Sequence, residues 1–262
     1  MWIVLAAAVT LSGAAAADVF TGSSTVARNA KADARRAEAD KQTRVVPLPA
    51  GKSLAIEITI GSVRIEGWDQ PQVEIVIERH APSDSGLDRL PVVIDDTASR
   101  VAVRAVQPDG ATDPAFRSDI VVRVPQAATI DRVQVVEGTI TIARFAGTLT
   151  ADIRRGPIEG RDVSGALRLE TGIGSVILTG ARLSANGLLR LRAFNGDVRL
   201  TLAERPADAR IMALALNGSI RSEIPLSMKD SWGPRWGEAT IGKGEPVISL
   251  DVVTGTIDLR VP

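Results

Sequence analysis

The 262-residue chain has no cysteine, no tyrosine and a single histidine. Without cysteine there is no disulfide and no thiolate metal site, and its absence suits an oxidising compartment. Aromatic residues make up only 3% of the chain, which argues against a sugar groove lined by stacking rings. Neither sign of charge dominates: Lys plus Arg and Asp plus Glu balance at 31 each. The global basic field that would hold nucleic acid is therefore missing. Any Ser-His-Asp set or histidine metal site would have to be built on His80. That residue stands between Arg79 and Ala81-Pro82, and reads as a solvated histidine at a strand end.

What the chain does have is glycine at even intervals. Glycines at 138, 147, 156, 165 and 174 step by 9 residues, and the intervals 187 to 196 and 209 (Ala209) to 218 repeat that length. A unit of this size holds one strand of about five residues and a tight turn. Within the units apolar residues alternate with polar ones. Ile140 and Ile142, Leu149 and Ala151, Leu167 and Leu169, Leu189 and Leu191, and Ile211 and Ala213 mark a dry face. Thr141, Thr150, Arg168, Arg190, Arg192, Arg199 and Arg221 mark a wet one. No unit can bury its dry face alone, so the units must stack.

An antiparallel meander, an ordinary β-sandwich or a solenoid with two strands per coil would satisfy this pattern. The phrases Gly174-Ser175-Val176, Gly196-Asp197-Val198 and Gly218-Ser219-Ile220 recur at the doubled spacing, which favours the solenoid. The expected fold is all-β: a β-solenoid of stacked short strands, two per coil of 18 to 22 residues, with a less regular N-terminal β cap. The extra residues of the longer coils, 181–186 and 203–208, read as loops on one edge.

Residues 1–17 are apolar and end in Ala15 and Ala17, the pattern of a secretory signal peptide cut before Asp18, or of a short anchor if it stays uncut. Residues 18–46 are rich in alanine and charge and read as a tether. Residues 47–262 form the folded body, with the irregular cap over 47–130 and the repeat region over 131–262. The period breaks between Glu223 and Gly244, an insertion that carries Trp232, Arg235 and Trp236.

Four phrases carry a resemblance: Gly61-Ser62-Val63-Arg64-Ile65, the strand ending Val122-Arg123-Val124-Pro125, the ladder from Val133 to Ile140, and the closing run Leu250 to Leu259. Over residues 45–262 the chain resembles the bacterial "putative adhesin" domain-of-unknown-function family of exported or membrane-tethered β-strand-repeat proteins. The resemblance implies a β-solenoid-like fold, an envelope location and a link to envelope-stress signalling. It carries over no catalytic residue. This chain departs from many members in having no basic residue before its apolar start and in its tryptophan-bearing insertion.

The outward arginines Arg168, Arg190, Arg199 and Arg221 read either as charge on solvated faces or as basic stripes for an anionic envelope polymer. Trp232, Arg235 and Trp236 read either as a loop anchor or as a partner site, since Trp and Arg dominate interface anchors. Asp95-Asp96 reads as a turn signal. Asp152, Glu159, Asp162 and Glu170 are the acids dense enough to serve a carbohydrate-active enzyme on a parallel β-helix, but they differ in their position within the 9-residue unit. The preferred reading is a non-enzymatic, exported protein of the periplasm or cell surface, an adhesin-like binding or scaffolding module. It calls for no cofactor and no metal. Its expected partners are a protein or an anionic envelope polymer, with a membrane contact only through an uncut N-terminal segment. Self-assembly through exposed terminal coils is the third reading.

Overall fold

The computed structural model describes residues 40–108, 112–185, 187–229 and 233–262. The signal or anchor segment at 1–17, most of the 18–46 tether and Trp232 lie outside the described residues. The last part of the tether stretch is a strand, β1 (Asp40–Pro47).

The 9-residue units form short parallel strands with the dry face inward. β8 (Thr148–Arg155), β10 (Ala166–Ile173) and β12 (Leu188–Asn195) build one wall. β9 (Ile158–Arg161), β11 (Val176–Ala181) and β13 (Val198–Leu202) build the opposite wall. Ile140, Leu149, Leu167 and Leu189 are all buried between the walls, and no helix occurs among the described residues from 138 to 222. Each such side chain withdrawn from water contributes about 1.5–3 kcal/mol, which the in-register repeat multiplies along the core.

The open solenoid with its irregular cap does not form. The sheet closes into an 8-strand parallel β-barrel with extra strands outside. Closure is the work of two long strands, β7 (Thr129–Ala143) and β17 (Val247–Arg260), which pass from one wall to the other. The N-terminal half of β7 pairs with β8 and its C-terminal half with β9. At the far side, β17 pairs with β12 by its first half and with β13 by its second. The ring therefore runs β7-β8-β10-β12-β17-β13-β11-β9 and back to β7, and every pairing in it is parallel.

Strand order in space is not strand order in the chain. β14 (Ala209–Ser222) follows β13 in sequence, yet it lies outside β17 and pairs with it along its length. On the other side β2 (Ser53–Trp68) flanks β7, with β5 (Arg100–Ala105) and β6 (Arg117–Pro125) flanking β2 in turn. The outermost pairings are antiparallel. β3 (Gln72–His80) covers β6, β1 covers β3, and β4 (Val93–Asp96) covers β5. At the opposite end β16 (Arg235–Ile241) covers the first half of β14, and β15 (Ser227–Lys229) covers β16.

A column of glycines marks the corner between the walls. Taken in space, it runs Gly61, Gly138, Gly156, Gly174, Gly196, Gly255, Gly218. A Cβ at Gly174 would run into the carbonyl oxygen of Gly156, and one at Gly196 into that of Gly174. Gly174 also has φ +146°, a region that residues with side chains rarely adopt. The period of the sequence is thus a period of corners, and it says nothing about which corner sits next to which.

Candidate interaction surface

The outer face of the wall containing β8, β10 and β12 continues across β17, β14 and β16. Parallel register puts like positions side by side on it. Thr150, Arg168, Arg190, Ser249 and Met212 form one row. Two residues further along, Asp152, Glu170, Arg192, Asp251, Leu214 and Trp236 form the next. Arg168 and Arg190 are exposed, and Trp236 is half-buried beside Leu214. A groove of about 330 Å3 lies over β8, β10 and β12, lined by Thr150, Asp152, Arg168, Glu170, Arg190 and Arg192.

Arg192 is held in place twice. Its Nη1 lies 3.8 Å from Glu170 Oε2, and its guanidinium lies over the Phe194 ring, 4.6 Å from the centroid. Phe194 is out of phase with the inward Leu189, Leu191 and Ala193, so its ring stands on the wet face, 37% exposed. Leu216 lies at the same level on β14, one residue past Ala215 as Phe194 is past Ala193, and is 40% exposed. Ile173, at the adjoining corner, is 55% exposed. Phe194, Leu216 and Trp236 thus share the outer face, with Arg192 and Arg235 beside them, whereas Ile173 is in phase with the inward Leu167 and Leu169 and is exposed only at the corner. Asp152 keeps an exposed flank, but burial of the rest of the carboxyl raises its pKa above the ordinary value, and Arg154 pulls it back down.

The arginines expected to form one outward series divide between two surfaces. Arg199 and Arg221 stand on the opposite wall, each a register partner of Asp258, and Arg199 Nη2 also meets Asp197 Oδ2 at 2.8 Å. Arg235 is exposed on β16, opposite Ala215 and next to Trp236. The four acids separate as well. Asp152 and Glu170 are neighbours in the groove, Glu159 faces out from the opposite wall, and Asp162 occupies a corner at φ +53°. Asp95 and Asp96 diverge to Arg104 and Lys52. Among the described residues no group of three or more His, Cys, Asp or Glu side chains could hold a metal ion.

His80 has company that sequence reading missed. Its Nε2 lies 3.2 Å from Asp119 Oδ2, which Arg117 Nη2 also approaches at 2.9 Å. Ser62 donates to Asp119 Oδ1 from both its backbone N–H, at 3.0 Å, and its hydroxyl, at 2.7 Å. Serine, histidine and aspartate meet here, but in the wrong connection for nucleophilic catalysis. The serine proton goes to the carboxylate, and the histidine does not stand between them. Phe194 was also missed, although its place in the alternation marks it as outward. Asp119 carried no such signal, because the β2–β6 pairing that delivers it joins residues far apart in the chain.

No protein-family model matches the sequence, and no curated protein does. Solved structures do match. A putative cell adhesion protein from Clostridium sporogenes superposes with a TM-score of 0.50 at 12% identity, over 85% of this chain and 99% of that one. A putative adhesin from Bacteroides fragilis superposes with a TM-score of 0.41 at 14% identity, over 85% of this chain and 98% of its own. The first of these shows a shared fold. The name of that first neighbour agrees with the resemblance carried by the sequence phrases.

Proposed function

We propose that the chain is an exported, non-enzymatic binding module, adhesin-like in its use, that holds its partner on the outer wall spanning β10, β12, β17, β14 and β16. The outward Phe194, Leu216 and Trp236 on neighbouring strands of this wall carry this reading. Exposed apolar side chains that gather on one face and are fringed by arginine have the composition of a binding surface. The miswired Ser62–Asp119–His80 contact and the separated acids support a role without turnover. The apolar, alanine-ended residues 1–17 support export. Among the described residues no helix is long and apolar enough to cross a membrane.

The test is co-sedimentation of purified protein with isolated cell envelopes. Phe194→Ala combined with Trp236→Ala is expected to lower the bound fraction several-fold while leaving the circular dichroism unchanged. Undiminished binding by a folded double variant would remove this face from the proposal.

A further inference from the structure

Arg168 and Arg190 are register partners on adjacent parallel strands, so their side chains leave the wall roughly 4.8 Å apart. Like charges directly opposite one another destabilise a strand pair. Nothing among the described residues offsets this, since neither arginine has a carboxylate within ion-pair distance there. Their row continues through the neutral Thr150 and Ser249. Arg192, in the next row, is by contrast occupied by Glu170 and Phe194. Two exposed arginines on adjacent strands thus line one groove of about 330 Å3. Guanidinium forks recognise oxyanions through paired, charge-assisted hydrogen bonds. Asp152 and Glu170 line the same groove, and an ionised carboxylate can only accept. The groove therefore offers anion-binding donors in one row and hydroxyl-binding acceptors in the next, across three neighbouring strands.

We propose that this groove is a subsite for an acidic polysaccharide, with Arg168 and Arg190 clamping an oxyanion and Asp152 and Glu170 accepting the adjacent hydroxyls. The proposal deepens the reading of the outer wall as the binding face and rests on it. The oxyanion is a carboxylate of the sugar or a phosphate ester on it, and both present the same acceptor pair to the two forks.

Isothermal titration of the folded protein with polygalacturonate and with a phosphomannan, whose sugars carry phosphate esters, tests the proposal and separates the two sources. Binding to at least one polymer is expected. Arg168→Ala with Arg190→Ala is expected to weaken it by roughly tenfold or more, as befits lost charge-assisted hydrogen bonds. Arg199→Ala with Arg221→Ala removes the same formal charge from the opposite wall and is expected to leave affinity within about twofold. Equal losses in the two double variants would reduce the effect to general electrostatics and overturn the proposal. So would failure to bind either polymer. Polyacrylate, which has carboxylates and no hydroxyls, is expected to bind more weakly than polygalacturonate; equal affinity would overturn the part given to Asp152 and Glu170. If the arginine pair proves silent while the Phe194 and Trp236 substitutions still abolish envelope binding, the subsite fails and the binding face stands.

Discussion

Gly174 has two reasons to be glycine, and they can be separated. Its φ of +146° strains any side chain, and a Cβ there would strike the carbonyl oxygen of Gly156. Gly51 has a positive φ of +89°, but a Cβ there would meet nothing within 4 Å. Gly51→Ala is expected to cost about 1–2 kcal/mol from backbone strain alone. Gly174→Ala is expected to cost about 3–5 kcal/mol, because two corners must part as well. Urea denaturation of both variants measures the difference. Asp152 allows a second prediction. Its folded pKa lies above the unfolded one, so the native state holds the proton more tightly. Stability is then lost as pH rises from the unfolded pKa through the folded pKa. Asp152→Asn is expected to raise the thermal midpoint at pH 7 and to give no such gain well below the unfolded pKa. A gain of the same size at both pH values would show that burial of the charge is not the cause. At this scale the sequence was readable wherever local phase decides the outcome. The inward Leu167 and Leu189 were identified, and so were the outward Arg168 and Arg190. Asp119, brought to Ser62 from a distant strand, was not.

Among the elements, β17 is the one whose neighbours matter most. Ser249 is the register partner of Arg190 on one side and of Met212 on the other. Since the chain has no cysteine, paired cysteines report this directly. Arg190→Cys with Ser249→Cys puts Cα atoms at adjacent-strand distance, within the range of roughly 4.4–6.8 Å that a disulfide tolerates. Arg190→Cys with Met212→Cys spans two strand spacings, about 9–10 Å, beyond that range. Mild oxidation is expected to cross-link the first pair and leave the second as free thiols, read by thiol titration. The opposite result would restore chain order to the strands. The existence of β8, β10 and β12 was legible from Gly147, Gly165 and Gly187, because alternation and a corner residue are local properties. The placement of β14 outside β17 was not. Gly218-Ser219-Ile220 and Gly255-Thr256-Ile257 have the same pattern, and either phrase would fit against Gly196-Asp197-Val198.

At the scale of the whole molecule the closed ring changes how stability is distributed. Units in an open stack touch only their neighbours and can fray from an end. Here β7 and β17 each join both walls, so neither wall can loosen without disturbing the other. Thermal unfolding is expected to be one transition, with calorimetric and van't Hoff enthalpies in agreement. Hydrogen exchange is expected to protect β8, β10 and β12 to a similar degree rather than in a gradient. A gradient rising from one end would be the behaviour of an open stack. Ring closure could not be read from the period, because Gly138 and Gly255 look like any other corner and β2 and β14, outside the ring, are as long as the crossing strands β7 and β17.

The interleaving of β17 between β12 and β14 also bears on the route to the native state. When residues 188–222 are assembled and 247–260 are not, the strand after β13 finds a vacancy beside β12 that its own corner phrase matches. A strand docked there early would have to leave again to admit the later segment. Stopped-flow refolding is therefore expected to show a slow phase that shortens when Gly218-Ser219-Ile220 is altered to differ from Gly255-Thr256-Ile257, so that the likeness of corner phrases sets a cost in folding time; a single fast phase would remove this consequence.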